Sequence, residues 1–146
     1  MREKLRRLAN LSCGEWALLP QLILAAALVG AGTRLVALPR LIEWLSRCAT
    51  HPWLRLFPVN HRQHHPEKLA SLAGFATRFT QGRQSCLPYS LLLLWLLRAR
   101  GEPADLLIGV NREAGIFHGH AWIEAGGRVL GDSLLTTTRF ITILRY

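Results

Sequence analysis

Residues 86–100 constrain this chain more than any other stretch. Cys86 opens an apolar helical run, Cys-Leu-Pro-Tyr-Ser-Leu-Leu-Leu-Leu-Trp-Leu-Leu-Arg-Ala-Arg, closed by Gly101 with Pro103 just beyond. Glycine after a last turn and proline shortly after it are helix stop signals. The carboxy-terminal segments have the period of strands: Ala104–Val110, His118–Glu124, Arg128–Asp132 and Phe140–Arg145, with Asn111–Phe117 read as a polar loop. The amino-terminal segments have the period of helices, over residues 2–12, 15–31, Pro39–Ala49 and Pro66 to about Thr80. Helices, then an apolar helix, then an antiparallel sheet make an α+β arrangement.

A chain of 146 residues is one compact domain by length. Within it, residues 1–65 read as an amino-terminal hydrophobic and basic helical region. Residues 66–146 read as the core that carries the chemistry, and the irregular stretch 50–65 lies between them. Half of the residues are apolar, which excludes disorder. The formal charge of +9 is uneven: residues 1–85 hold 12 Lys and Arg against 4 Asp and Glu, residues 86–146 hold 6 against 5. Charge alone admits nucleic acid, anionic lipid or an acidic peptide as partner. The aromatics do not interleave with the basic residues, and no nucleic-acid module is recognisable, so nucleic acid is set aside. Three cysteines without regular spacing, and no Cys-x-x-Cys, argue against a disulfide framework and a structural zinc site, and for a reducing compartment such as the cytoplasm.

The uncharged stretch Trp16–Thr33 behind a basic start has the look of a signal or a membrane span. Pro20 and Gln21 interrupt it, Gly30 and Gly32 lower its helicity, and Arg34 ends it. It is read instead as amphipathic or buried helix, offering a surface to a partner or to the membrane face.

Cys86 begins a helix, where unsatisfied N–H groups and the positive end of the macrodipole favour thiolate. Taken alone, such a cysteine is more often a small buried hydrophobe. His120 changes this. His120, Trp122 and Glu124 share one face of a strand, Ala121 and Ile123 the other. A three-residue loop, Ala125-Gly126-Gly127, sets Glu124 opposite Arg128, Trp122 opposite Leu130 and His120 opposite Asp132, within reach of one another. A two-residue Gly126-Gly127 turn would turn Asp132 away from His120. The first register is expected, and it gives Cys86, His120 and Asp132 the roles of nucleophile, base and orienting acid. The backbone N–H of Cys86 and the side chain of Gln84 are the candidate oxyanion donors. Trp122 is read evenly as packed or substrate-stacking. His118 shares the parity of His120 and is a rival base. His61, His64 and His65 are a rival metal site. They lack a cysteine and a well-spaced carboxylate and are read as a solvated basic loop, so no metal or cofactor is expected.

The residues that carry this chemistry also carry a resemblance. Ser85–Gly101, then Ala-Asp-Leu-Leu-Ile-Gly-Val (104–110), His-Gly-His-Ala-Trp-Ile-Glu (118–124) and Arg-Val-Leu-Gly-Asp (128–132) resemble the transglutaminase-like domain of lasso-peptide maturation proteases, the B proteins of that pathway. The resemblance implies a papain-like cysteine peptidase that removes the leader from a ribosomally made precursor peptide, after which an ATP-dependent cyclase closes the freed amine onto a side chain. It carries Cys86, His120 and Asp132 over as the catalytic residues. Residues 1–85 read helical rather than as a winged-helix module, so a separate leader-recognition protein is expected. Pro88-Tyr89 stands where many relatives carry an arginine, which marks Tyr89 as a point of difference in substrate contact. A non-catalytic binding subunit and another acyl-transfer enzyme, transglutaminase or amidase, are the competing functions.

Overall fold

The structure, a computed structural model, describes residues 13–52, 57–58, 61–82 and 86–146. The helix expected over 2–12 and the donor expected at Gln84 lie outside these residues.

The first helix, α1, is Cys13–Leu35 and contains Pro20 without ending there. A proline inside a helix costs about 3 kcal/mol, through a lost hydrogen bond and a steric clash. Two features offset this. The Gln21 side-chain amide donates to the carbonyl of Ala17 at 2.7 Å, and Leu18, Leu22, Ala25, Ala26 and Val29 form a stripe buried in the core. The window Trp16–Leu35 is long and apolar enough to cross a membrane by length and composition, yet 39% of it is buried inside the domain.

Helix α2, Leu38–Thr50, takes Pro39 into its first turn, where the missing N–H costs nothing. It buries Leu41, Ile42, Leu45, Cys48 and Ala49, the three-and-four spacing read from the sequence. Helix α3, Pro66–Gln81, also starts on a proline and ends at Gly82, whose φ of 79° is the left-handed stop.

Helix α4, Cys86–Arg100, is the centre of the molecule. Every residue from Ser90 to Leu97 is buried. A helix apolar on all sides has no face to give to water, so it is wrapped by α1, α2 and α3 and by the sheet. Gly101, with φ 82°, stops it: the Gly101 N–H donates to Arg98 O at 2.9 Å and the Glu102 N–H to Leu97 O at 3.0 Å. The Arg98 guanidinium holds Ser46 Oγ at 2.7 Å and the carbonyls of Ala104 and Tyr146 at 3.2–3.3 Å, tying α4 to α2 and to the sheet.

Strands β1 (Ala104–Glu113), β2 (Ile116–Ala125), β3 (Arg128–Leu130) and β4 (Ile141–Arg145) form one antiparallel sheet in the order β3-β2-β1-β4. The polar loop expected over Asn111–Phe117 is instead strand, turn and strand. Ala114 (φ 49°) and Gly115 (φ 83°) both take the left-handed backbone of a tight hairpin, so pairing continues to Glu113 opposite Ile116. One face of the sheet, with Ala104, Leu106, Ala121 and Ile123, joins the leucines of α4 in a single core. A short helix, α5, spans Leu134–Thr137 between β3 and β4; the sequence pattern did not show it.

The β2–β3 register corrects the expectation. The turn has two residues, Gly126 (φ 57°) and Gly127 (φ 74°), and pairs Ala125 with Arg128, Glu124 with Val129 and Ile123 with Leu130. Two successive glycines in left-handed backbone make a primed turn, whose twist matches the strands it joins. Glu124 therefore does not face Arg128; its carboxylate accepts from Arg145 at 3.2 Å instead.

Candidate active site

By the parity argument this register should have turned Asp132 away from His120. It does not, because β3 stops at Leu130. Gly131 takes φ 73°, a left-handed conformation closed to a strand, and redirects the chain before Asp132. The Asp132 side chain then reaches His120: Oδ2 pairs with the imidazole Nε2. Its other oxygen, Oδ1, accepts from the Ser133 N–H at 2.7 Å. Both carboxylate oxygens are engaged, which sets the plane of the group. With Nε2 held by Asp132, the remaining basic nitrogen of His120 is Nδ1.

The imidazole is packed as well as paired. Its ring lies 6.1 Å from that of Trp122, nearly parallel, and 5.1 Å from that of Phe140. Trp122 is 4% exposed and does not line the cavity beside the pair; it supports the imidazole from behind. Gly109, across from His120 on β1, leaves room for this packing, since a Cβ there would meet Phe140 and Trp122 at 2.9 Å. The sequence pattern marks Phe140 only as the start of a strand.

That cavity, of about 800 Å³, is bordered by α3, the start of α4, β2 and the segment Leu130–Asp132. Cys86 and His120 both line it. Because β3 covers β2 only from Ile123 onward, the β2 edge at His120 is left open to this space. Cys86 is the first residue of α4, is partly exposed, and meets the cavity at the electropositive end of the helix. Ser90, one turn along, donates its hydroxyl to the carbonyl of Ala121 at 3.0 Å in a fully buried bond. This bond fixes the Cys86 helix against the strand next to His120. Sequence reasoning missed Ser90; its signal is a lone hydroxyl at the edge of a seven-residue apolar run.

Tyr89 also lines the cavity. Burial raises its phenol well above the ordinary value, the nearby Asp132 carboxylate raises it further, and Arg78 opposes both. It is therefore a neutral O–H donor at any physiological pH.

The rival sites are not assembled in this way. His118, opposite Asn111, is exposed and away from the cavity. Of the three clustered histidines, His61 corrects the reading of a solvated loop. It is 1% exposed, its Nδ1 donates to the carbonyl of Pro58 at 2.6 Å, and burial lowers its affinity for a proton. Among the described residues no three His, Cys, Asp or Glu side chains converge as metal ligands.

The arrangement has the parts for acyl transfer through a thiol: a cysteine at a helix tip, an imidazole oriented by a carboxylate, and a cavity reaching both. A family model for the transglutaminase-like superfamily matches residues 25–145. The chain belongs to the transglutaminase-like superfamily. This match begins inside α1 and ends in β4, so it takes in the second half of α1 and all of α2 along with α3, α4 and the sheet. The chain is also similar to the Microcin J25-processing protein McjB of Escherichia coli, 33% identical over 79 residues. Those residues are 54% of this chain and 36% of that protein, so the chain spans about a third of its relative's length. No solved structure gives a significant match.

Proposed function

We propose that this chain is a cysteine peptidase that removes the leader from a lasso-peptide precursor. The observation that carries the reading is the His120–Asp132 pair beside a cavity that Cys86 also lines. Membership of the transglutaminase-like superfamily and similarity to a microcin-processing protein support the same chemistry and substrate class.

In this mechanism the Cys86 thiol gives its proton to His120 Nδ1, and the sulfur attacks the carbonyl carbon of the scissile peptide bond. Asp132, hydrogen-bonded at Nε2, keeps the imidazole in the required tautomer and stabilises the imidazolium. The backbone N–H of Cys86 at the helix start, with Gln84 as the second donor, receives the oxyanion. The intermediate collapses as the C–N bond breaks, and the imidazolium proton passes to the departing amine, the new amino terminus of the core peptide. Water, deprotonated by His120, then hydrolyses the leader thioester and restores the thiol. Tyr89 offers its O–H to the substrate backbone inside the cavity, and Trp122 acts as the buttress of His120. No step calls on a metal or cofactor.

The enzyme works in the cytoplasm, where the precursor is made and thiols stay reduced. A separate leader-recognition protein of the winged-helix type presents the precursor, and an ATP-dependent cyclase takes up the freed amine.

The test is to mix the chain with its recognition partner and a precursor peptide and follow the masses of leader and core. Wild type releases the leader and Cys86→Ala does not. Equal release by both removes Cys86 from the mechanism. Superfamily membership also supports an acyl transferase, which the same assay separates: incorporation of an added amine without hydrolysis selects it. Precursor binding with no turnover by wild type selects a non-catalytic binding subunit.

A further inference from the structure

Helix α1 has a second apolar face that the domain does not cover. Opposite its buried stripe it exposes Trp16 (55%), Leu24 (55%), Leu28 (62%) and Leu35 (83%). Ala17, Pro20, Ala27 and Ala31 are exposed between them, and no charged residue occurs from Trp16 to Thr33. At 1.5 Å per residue this strip is about 30 Å long. Across a groove of about 530 Å³, the link after α1 adds Val36 and α2 adds Trp44, the latter 59% exposed. A contiguous apolar surface of this extent on a folded domain marks an interface.

The charges around it point to what it meets. Exposed Arg34, Arg40 and Arg47 border the strip at the α1–α2 end, with Glu43, paired to Arg47 at 2.6 Å, as the acid among them. In the sequence before the strip, Arg2, Lys4, Arg6 and Arg7 stand against Glu3 and Glu15. An uncharged apolar face carrying tryptophans and flanked by cations matches the boundary of an anionic bilayer, where headgroups meet the cations and acyl chains the strip. The helix cannot span the bilayer in this fold. Leu18, Leu22 and Ala26 on its other face are completely buried in the core, and crossing would strip them from it.

We propose that the outer face of α1, with the Trp44 rim of α2, rests in the plane of an anionic membrane surface while the rest of the domain stays on the aqueous side. The domain itself takes the place of the polar face of an interfacial helix. This proposal does not depend on the reaction assigned to the cavity.

The experiment uses the full chain and extruded vesicles of phosphatidylcholine, with or without a quarter phosphatidylglycerol, in a flotation assay. The chain floats with the anionic vesicles, and binding weakens as salt rises. Arg34→Gln and Arg40→Gln each weaken binding about fivefold, the effect of about 1 kcal/mol per cation. Leu24→Glu with Leu28→Glu abolishes flotation while circular dichroism and precursor cleavage in solution stay as in wild type. Tryptophan emission is quenched by brominated acyl chains in wild type and less so in Trp16→Phe with Trp44→Phe. Flotation that the glutamates leave unchanged overturns the proposal, as does the absence of flotation with either vesicle. Sedimentation showing a dimer in buffer that the two glutamates dissociate overturns it too, and assigns the face to a second copy of the chain.

Discussion

The phenol oxygen of Tyr89 fills the space that a Cβ on Gly131 would need. Gly131 is also the residue that turns the chain so that Asp132 meets His120. A tyrosine one turn into the Cys86 helix thus sets the path of the carboxylate that orients the imidazole.

Gly131→Ala therefore meets two obstacles, a positive φ and the Tyr89 hydroxyl. Displacing Asp132 by an ångström costs on the order of 100-fold in rate. We expect that loss in kcat for leader release, with the far-ultraviolet circular dichroism unchanged. Tyr89→Phe in the Gly131→Ala background removes the oxygen, but the ring Cζ at 2.8 Å from the new Cβ and the backbone strain remain and the O–H offered to substrate is lost, so only part of the rate returns. Wild-type kcat in Gly131→Ala would show that Asp132 does not depend on this turn.

His120→Ala should lower leader release by orders of magnitude, because both the proton acceptor and the acid for the departing amine are lost. Asp132→Asn should cost less but still substantially, since the imidazole keeps its place between Trp122 and Phe140 and loses only its carboxylate partner. Single-turnover kinetics with precursor peptide rank the two, and an Asp132→Asn enzyme as fast as wild type would remove Asp132 from the mechanism.

Stability rests on α4. Leu93, completely buried, is predicted to cost about 2–5 kcal/mol when replaced by alanine. Arg98→Met deserts the carbonyls of Ala104 and Tyr146 and the hydroxyl of Ser46, at a cost of about 1.5–3 kcal/mol. Urea denaturation gives both values.

His61 makes the fold sensitive to acid. Burial lowers its pKa in the native state, so the unfolded chain binds the proton first as pH falls. The stability that neutral His61 contributes is whole above the ordinary histidine value near 6.5 and declines as pH drops from there toward the lowered native value. The thermal midpoint should fall between about pH 7 and pH 5, with a shallower slope in His61→Asn. Equal slopes would assign the acid sensitivity to other groups.

Local chemistry alone accounts for much of this protein. Seven apolar residues in a row between Ser90 and Arg98, closed by Gly101, specify a helix that must be buried on every side. The alternation around His120 specifies a strand, and Cys86 at the start of the helix marks a thiol at an electropositive tip. These features arise from periods and stop signals that act within a few residues. The tertiary structure decided what depends on residues far apart in the chain. Alternation would fix the side of Asp132 only if β3 ran on to it; instead the strand ends at Leu130 and Gly131 bends against Tyr89, more than 40 positions earlier in the chain. The expected contact arises in the register that parity had ruled out, because alternation holds only while a strand lasts. The apolar run of α1 hides one face and bares the other for the same kind of reason: composition sets how much surface is greasy, and only packing decides which side of it is covered.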